Sequence, residues 1–178
     1  KWLEKKYRQS QADFYAMRGL SWHLTHVVLL QPPNLSDNYS GKVFQNRTFC
    51  HCFDNCIQNG STVVSILQDV LMRLKQQHPE IEVAYVRCDN AGCYHGADTL
   101  LAVQELYKTT GVLIRRIDFS EAQAGKGPCD RKAAVIKGEV RRYVDEKHDC
   151  TTSVEFVAAA KSALIYHIFL RTTNIKNI

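Results

Sequence analysis

The stretch VAYVRCDNAGCYH, Val83 to His95, most constrains what this chain can fold into. Val83, Tyr85 and Val86 suit a pleated, buried strand, and the segment runs directly into Asp89, Asn90 and Gly92, residue types that end one. On either side the apolar period changes to that of a helix. Val63, Val64, Leu67, Val70, Leu71 and Leu74 recur at helical spacing before it, with Pro79 as the stop after His78. After it, Leu100, Leu101, Val103, Leu106 and Tyr107 supply the apolar face of a helix from Ala97 to Lys108, which Gly111 ends. A strand between two helices implies crossover connections, which carry helices onto the faces of a parallel sheet.

The flanking chain completes the pattern. Trp22, Leu24 and the run Val27 to Leu30 read as a strand from Gly19 that ends at Pro32 and Pro33, and Val43 to Phe53 as its hairpin partner across the turn Asn34 to Gly41. Phe49 should face opposite to Cys50 and Cys52. Val112 to Phe119 is a further short strand, followed by the loop SEAQAGKGP. Pro128 opens a helix to Glu146 with Ala133, Ala134, Ile136, Val140 and Tyr143 toward the core and Lys132, Lys137, Arg141 and Arg142 at least partly solvated. Thr152 and Glu155 make a capping box before a helix containing Val154, Phe156, Val157, Ala160, Leu164 and Ile168. The order predicts an α/β chain with a mixed sheet: one domain over residues 1–170 and a polar tail over 171–178.

With 178 residues, 45% of them hydrophobic, the chain can bury a sizeable core. Its net charge of +5 permits an anionic partner without requiring one. No apolar run is long enough to span a membrane, and the opening KWLEKKYRQS carries no signal pattern, so the expectation is an excised, soluble fragment without membrane contact. Seven scattered cysteines fit a reducing intracellular compartment, nuclear or cytoplasmic, better than a disulfide framework. Cys50, His51, Cys52, Cys56, Cys88, Cys93 and His95 include no CxxC pair, so buried free thiols are expected rather than structural zinc. Cys93 with His95 shows no orienting third group for nucleophilic chemistry.

Two carboxylates stand out. Asp89, at the end of a strand, sits either where α/β folds place ligands, as a metal ligand, or in a turn or helix cap. Asp130, in the first turn of the following helix, either complements that helix's dipole or joins Asp89 at the same sheet edge to hold Mg²⁺ or Mn²⁺. The AGKG of the intervening loop lacks the P-loop spacing; it is either a flexible connection or a close-approach loop with Lys126 as a phosphate contact.

Three segments in this order, RGLSWH (Arg18 to His23), RCDNAGCYH (Arg87 to His95) and FSEAQAGKGPCDRKAAVIK (Phe119 to Lys137), resemble transposase-derived proteins of animal genomes with an RNase H-like, DDE/D-type catalytic domain. The resemblance extends over most of the chain. It implies an RNase H-like mixed five-stranded sheet flanked by helices, and a carboxylate triad on two Mg²⁺ or Mn²⁺ ions that cuts and joins DNA strands. By position Asp89 is the second acid and Asp130 the third, with Glu121 the weaker candidate for the third. The resemblance puts the first acid a few residues upstream of Lys1, and Glu4 and Asp13 sit in no convincing strand, so either the first strand is truncated or the domain has diverged from catalysis, and the expectation is an inactive fragment. Asn90 and His95 would shape the site, and Lys126, Arg131, Lys137 and Arg141 would contact DNA phosphates, in a monomer or a homo-oligomer. The competing expectation is a domesticated domain that keeps the fold for binding DNA or protein without catalysis.

Overall fold

In a computed structural model, which describes residues 2–3, 19–30, 43–120, 127–161 and 168–172, the expected hairpin is present: β2 (Gly19–Leu30) pairs antiparallel with β3 (Phe44–Phe53). The short β1 (Trp2–Leu3) joins the other edge of β2. Contacts group the chain into two compact units, one formed by Lys1–Asn55 with Gly127–Ile178 and the other by Cys56–Lys126.

In the first unit the strand order is β1-β2-β3-β6, where β6 (Ile168–Thr172) runs parallel to β3. Two helices, α4 (Pro128–Asp145) and α5 (Ser153–Lys161), complete the unit. One sheet face carries Leu20, Cys50 and Cys52, which cluster with Ile136, Val140 and Val144 of α4 and Phe156, Val157, Ala159 and Ala160 of α5. Trp22 packs on this cluster with its ring 5.5 Å from that of Phe156. Phe49 lies outside the cluster, as period-2 alternation requires, yet it too is buried, as is every residue from Thr48 to Phe53.

The second unit is built on helix α1 (Gly60–Gln77), strand β4 (Val83–Cys88), the single turn α2 (Gly92–His95), helix α3 (Ala97–Thr110) and strand β5 (Leu113–Phe119). β4 and β5 are parallel. Asn59 caps α1 by accepting the Thr62 N–H at 3.0 Å, and α3 stops where Gly111 adopts φ 68°, the left-handed conformation in which a glycine costs least. Val63, Leu67 and Leu71 of α1, Val103 and Leu106 of α3 and Val112 form the core, with Ala84, Val86, Ile114 and Ile117 of the strands against it.

The mixed α/β class is as expected, and four corrections follow. The described strands form a four-stranded and a two-stranded sheet rather than one of five strands, because β4 and β5 pair with each other while β6 takes the open edge of β3. Ile168 is in that strand rather than in the last helix, which ends at Lys161; Ile168, Phe169 and Thr172 are strand-favouring residues, and β6 also takes in Arg171. Val83 and Tyr85 face outward, since Ala84 and Val86 hold the inward positions of β4. Ala134, Leu101 and Tyr107 are exposed, because the buried stripes run through Ile136, Val140 and Val144 on α4 and through Thr99, Val103, Leu106 and Thr110 on α3. The turn Asn34 to Gly41, Leu164, Glu121 and Lys126 lie outside the described residues. Among the described residues no helix is long and apolar enough to cross a membrane.

Candidate nucleic-acid interface and carboxylates

Asp89 follows the last residue of β4 and accepts a hydrogen bond from the Ala91 N–H on Oδ1 at 3.0 Å, an Asx turn that leads into α2. The strand end is tied down beside it: the Ser120 N–H and hydroxyl both donate to the Cys88 carbonyl, at 2.9 and 3.1 Å. Asn90 is exposed, and the exposed His95 ring meets Phe119 edge-on at 6.2 Å. Burial, and then the Asp89 charge, pushes the Cys88 thiol up to about 11 and raises that of Cys93. Cys93 is therefore a thiol held away from the thiolate a nucleophile needs.

Asp130 belongs to the other unit and has an analogous local role. It is the third residue of α4, and its Oδ2 accepts the Gly127 N–H at 2.9 Å, so one donor at the helix start is satisfied by a carboxylate that also complements the dipole. Pro128 opens the helix as the sequence predicts. The Cys129 thiol donates to the Leu24 carbonyl at 3.9 Å, which ties this first turn to β2.

With Ile136, Val140 and Val144 buried, α4 turns Arg131, Lys137, Arg141 and Arg142 outward. Arg142 is engaged by Glu139 at 2.6 Å and Glu146 at 4.0 Å. Lys137 Nζ stands 5.8 Å from the centroid of the Trp22 ring, a cation–π placement. Among the described residues neither Arg131 nor Arg141 forms an ion pair, so both guanidinium groups are available to an anion.

Among the described residues no three His, Cys, Asp or Glu side chains gather into a group that could hold a metal ion. The sequence reading misses three features. Asp54 clamps the start of α5, Cys50, Cys52 and Cys150 share one core cluster, and β4 and β5 turn Tyr85 outward beside arginines. The signal for the last was present in the alternation of VAYVRC, where Tyr85 and Val86 cannot share a face.

A family described as a domain of unknown function, DUF8701, matches residues 22–177. No curated protein and no solved structure matches significantly.

Proposed function

Since the chain belongs to the DUF8701 family, whose description states no activity, we propose from its own residues that it is a transposase-derived DNA-binding module that works on duplex phosphates through α4. The observation that carries this reading is the exposure of Arg131, Lys137 and Arg141 on a helix whose Ile136, Val140 and Val144 are buried in the core. Arginine and lysine on a rigid helix position a protein on the DNA backbone without reading its sequence. An RNase H-like descent is supported by element order, since the antiparallel β1, β2 and β3 are followed by a helix and then by parallel strands joined through helices. A nuclear or cytoplasmic setting suits its seven free thiols. Nothing in this reading requires catalysis, because Asp89 and Asp130 each hold a backbone turn.

A second reading is favoured by where those two aspartates stand along the chain: one ends a parallel strand, and the other opens the helix after the next strand, the positions of the second and third acids in a DDE/D-type core. In that case they would bind Mg²⁺ or Mn²⁺ for DNA strand cleavage and transfer. One pair of assays separates the two. Fluorescence polarisation with a labelled duplex should show salt-sensitive binding that Arg131→Ala with Arg141→Ala weakens, with the salt slope falling by about one per lost phosphate contact. Unaltered binding by that double variant removes the proposal. Plasmid nicking that needs Mn²⁺ and is abolished by Asp89→Asn would establish the second reading instead.

A further inference from the structure

The sequence LIRRI in β5 poses a packing problem that the strand solves with a bulge. Ile114 and Ile117 both lie against the core of their unit, although residues three apart on a regular strand face opposite sides. The pairing of β4 with β5 shifts register between Ala84 and Tyr85, so that Ala84 faces Ile114 and Tyr85 faces Arg116. Arg115 is the extra residue. The bulge thus keeps two isoleucines inside and leaves two consecutive arginines exposed, the re-aiming of side chains for which bulges are known.

These arginines share an open face. Tyr85 is 68% exposed, Val83 39% and Leu113 46%, and Arg87 is exposed two register pairs further along. Tyr85 and Arg116 are register partners, so their backbones lie about 4.8 Å apart. Asp118 pairs with Arg116 at 2.7 Å, and among the described residues neither Arg87 nor Arg115 has an ion-pair partner. An aromatic ring flanked by guanidinium groups on a sheet face meets both demands of an unpaired nucleotide, a surface for the base and cations for the phosphates.

We propose that the outer face of the β4–β5 pair binds single-stranded nucleic acid, with Tyr85 stacking on a base and Arg87 and Arg115 holding the adjoining phosphates. A duplex hides the base faces that Tyr85 would stack on. A second copy of this chain docking the same face would bring arginines against arginines. The site lies within one unit and uses no residue of α4, so it stands apart from the duplex-binding reading.

The test is polarisation of the whole chain with a fluorescein-labelled oligothymidylate of about 20 nucleotides, a span that covers a stacking site with its flanking phosphates. Tyr85→Ala should weaken binding about tenfold while Tyr85→Phe retains it. Arg115→Ala should lower the salt slope by about 0.7, the single-strand value for one phosphate. In the α4 variant Arg131→Ala with Arg141→Ala the tenfold effect of Tyr85→Ala on single-strand binding should persist, so that failure of either site is seen separately. The proposal is overturned if the oligonucleotide does not bind, if Tyr85→Ala binds like the parent, if only a duplex binds, or if Tyr85→Ala converts a dimer to a monomer in sedimentation.

Discussion

Asp54 and Ser153, 99 residues apart, are joined by two hydrogen bonds: the Ser153 N–H donates to Oδ1 of Asp54 and the Ser153 hydroxyl to Oδ2 at 2.9 Å. Asp54 follows the end of β3, and Ser153 is the first residue of α5. The carboxylate therefore satisfies a helix-start donor, places negative charge at the positive end of the dipole and fastens α5 to the sheet. Asp54→Ala should destabilise the protein by about 1–2 kcal/mol, seen as a lower urea midpoint with an unchanged slope. Asp54→Asn, which keeps one acceptor, should lose less. An unchanged midpoint for Asp54→Ala would mean that the clamp contributes nothing.

The same helix start holds a second carboxylate, and it predicts acid sensitivity. Glu155 Oε2 accepts the N–H groups of Thr151 and Thr152 at 2.7 and 3.0 Å and the Thr151 hydroxyl at 3.0 Å, while the Thr152 hydroxyl accepts the Glu155 N–H at 3.2 Å. Burial pushes the Glu155 pKa up, and these hydrogen bonds more than offset it, leaving the carboxyl below its usual 4.5. A depressed folded pKa adds stability that is fully present above 4.5 and is lost as pH falls through the lower, folded value. Glu155→Gln should thus cost about 1 kcal/mol near neutrality and progressively less in acid. Parallel melting curves for parent and variant from pH 7 to about pH 3 check it; a constant gap between them would refute the linkage.

Local signals in the sequence proved sufficient wherever a few neighbouring residues determine the backbone. Pro128 at the start of α4, Gly111 in its left-handed cap and the Thr152–Glu155 box are each decided within one helical turn. Pairing between distant segments was not legible. Ile168 continues an alanine-rich helical pattern by spacing, and its place opposite Thr48 depends on an open strand edge far away in the chain. Tyr85 departs from the buried position its residue type predicts for a related reason: strand propensity says that a residue suits a sheet, not which face its partners will cover. At Asp89 the residue type alone leaves turn and ligand roles open, and the Ala91 N–H contact shows the turn.

Thiol reactivity should divide the seven cysteines. Cys50, Cys52 and Cys150 are fully buried in one cluster, and burial drives the Cys50 thiol well above its usual range and those of Cys52 and Cys150 to about 12. Cys56, Cys88, Cys93 and Cys129 are partly exposed. Because the thiolate is the reactive form, a thiol reagent at neutral pH should label the native protein only within that group of four, and the buried three only after denaturation. Peptide mapping that finds Cys52 modified in the native state would contradict the packing.

Gly60 and Thr99 provide the sharpest packing test in the second unit. A β-carbon added to Gly60, the first residue of α1, would lie 2.1 Å from Thr99 Oγ1 and 3.4 Å from Thr99 Cβ. That hydroxyl donates to the Cys93 carbonyl at 3.0 Å, and Thr99 is buried, so it cannot swing away without giving up the bond that ties α2 to α3. Gly60→Ala should therefore cost about 1–3 kcal/mol through overpacking and a broken hydrogen bond, even though alanine is the better helix former. Thr99→Ala removes the obstructing oxygen along with that bond. In Gly60→Ala with Thr99→Ala the loss should accordingly be smaller than the sum of the two single losses, by about 1 kcal/mol or more, as expected for residues in direct contact. Strict additivity in a urea-melt cycle would show that the close approach of α1 to Thr99 is not what requires glycine at position 60.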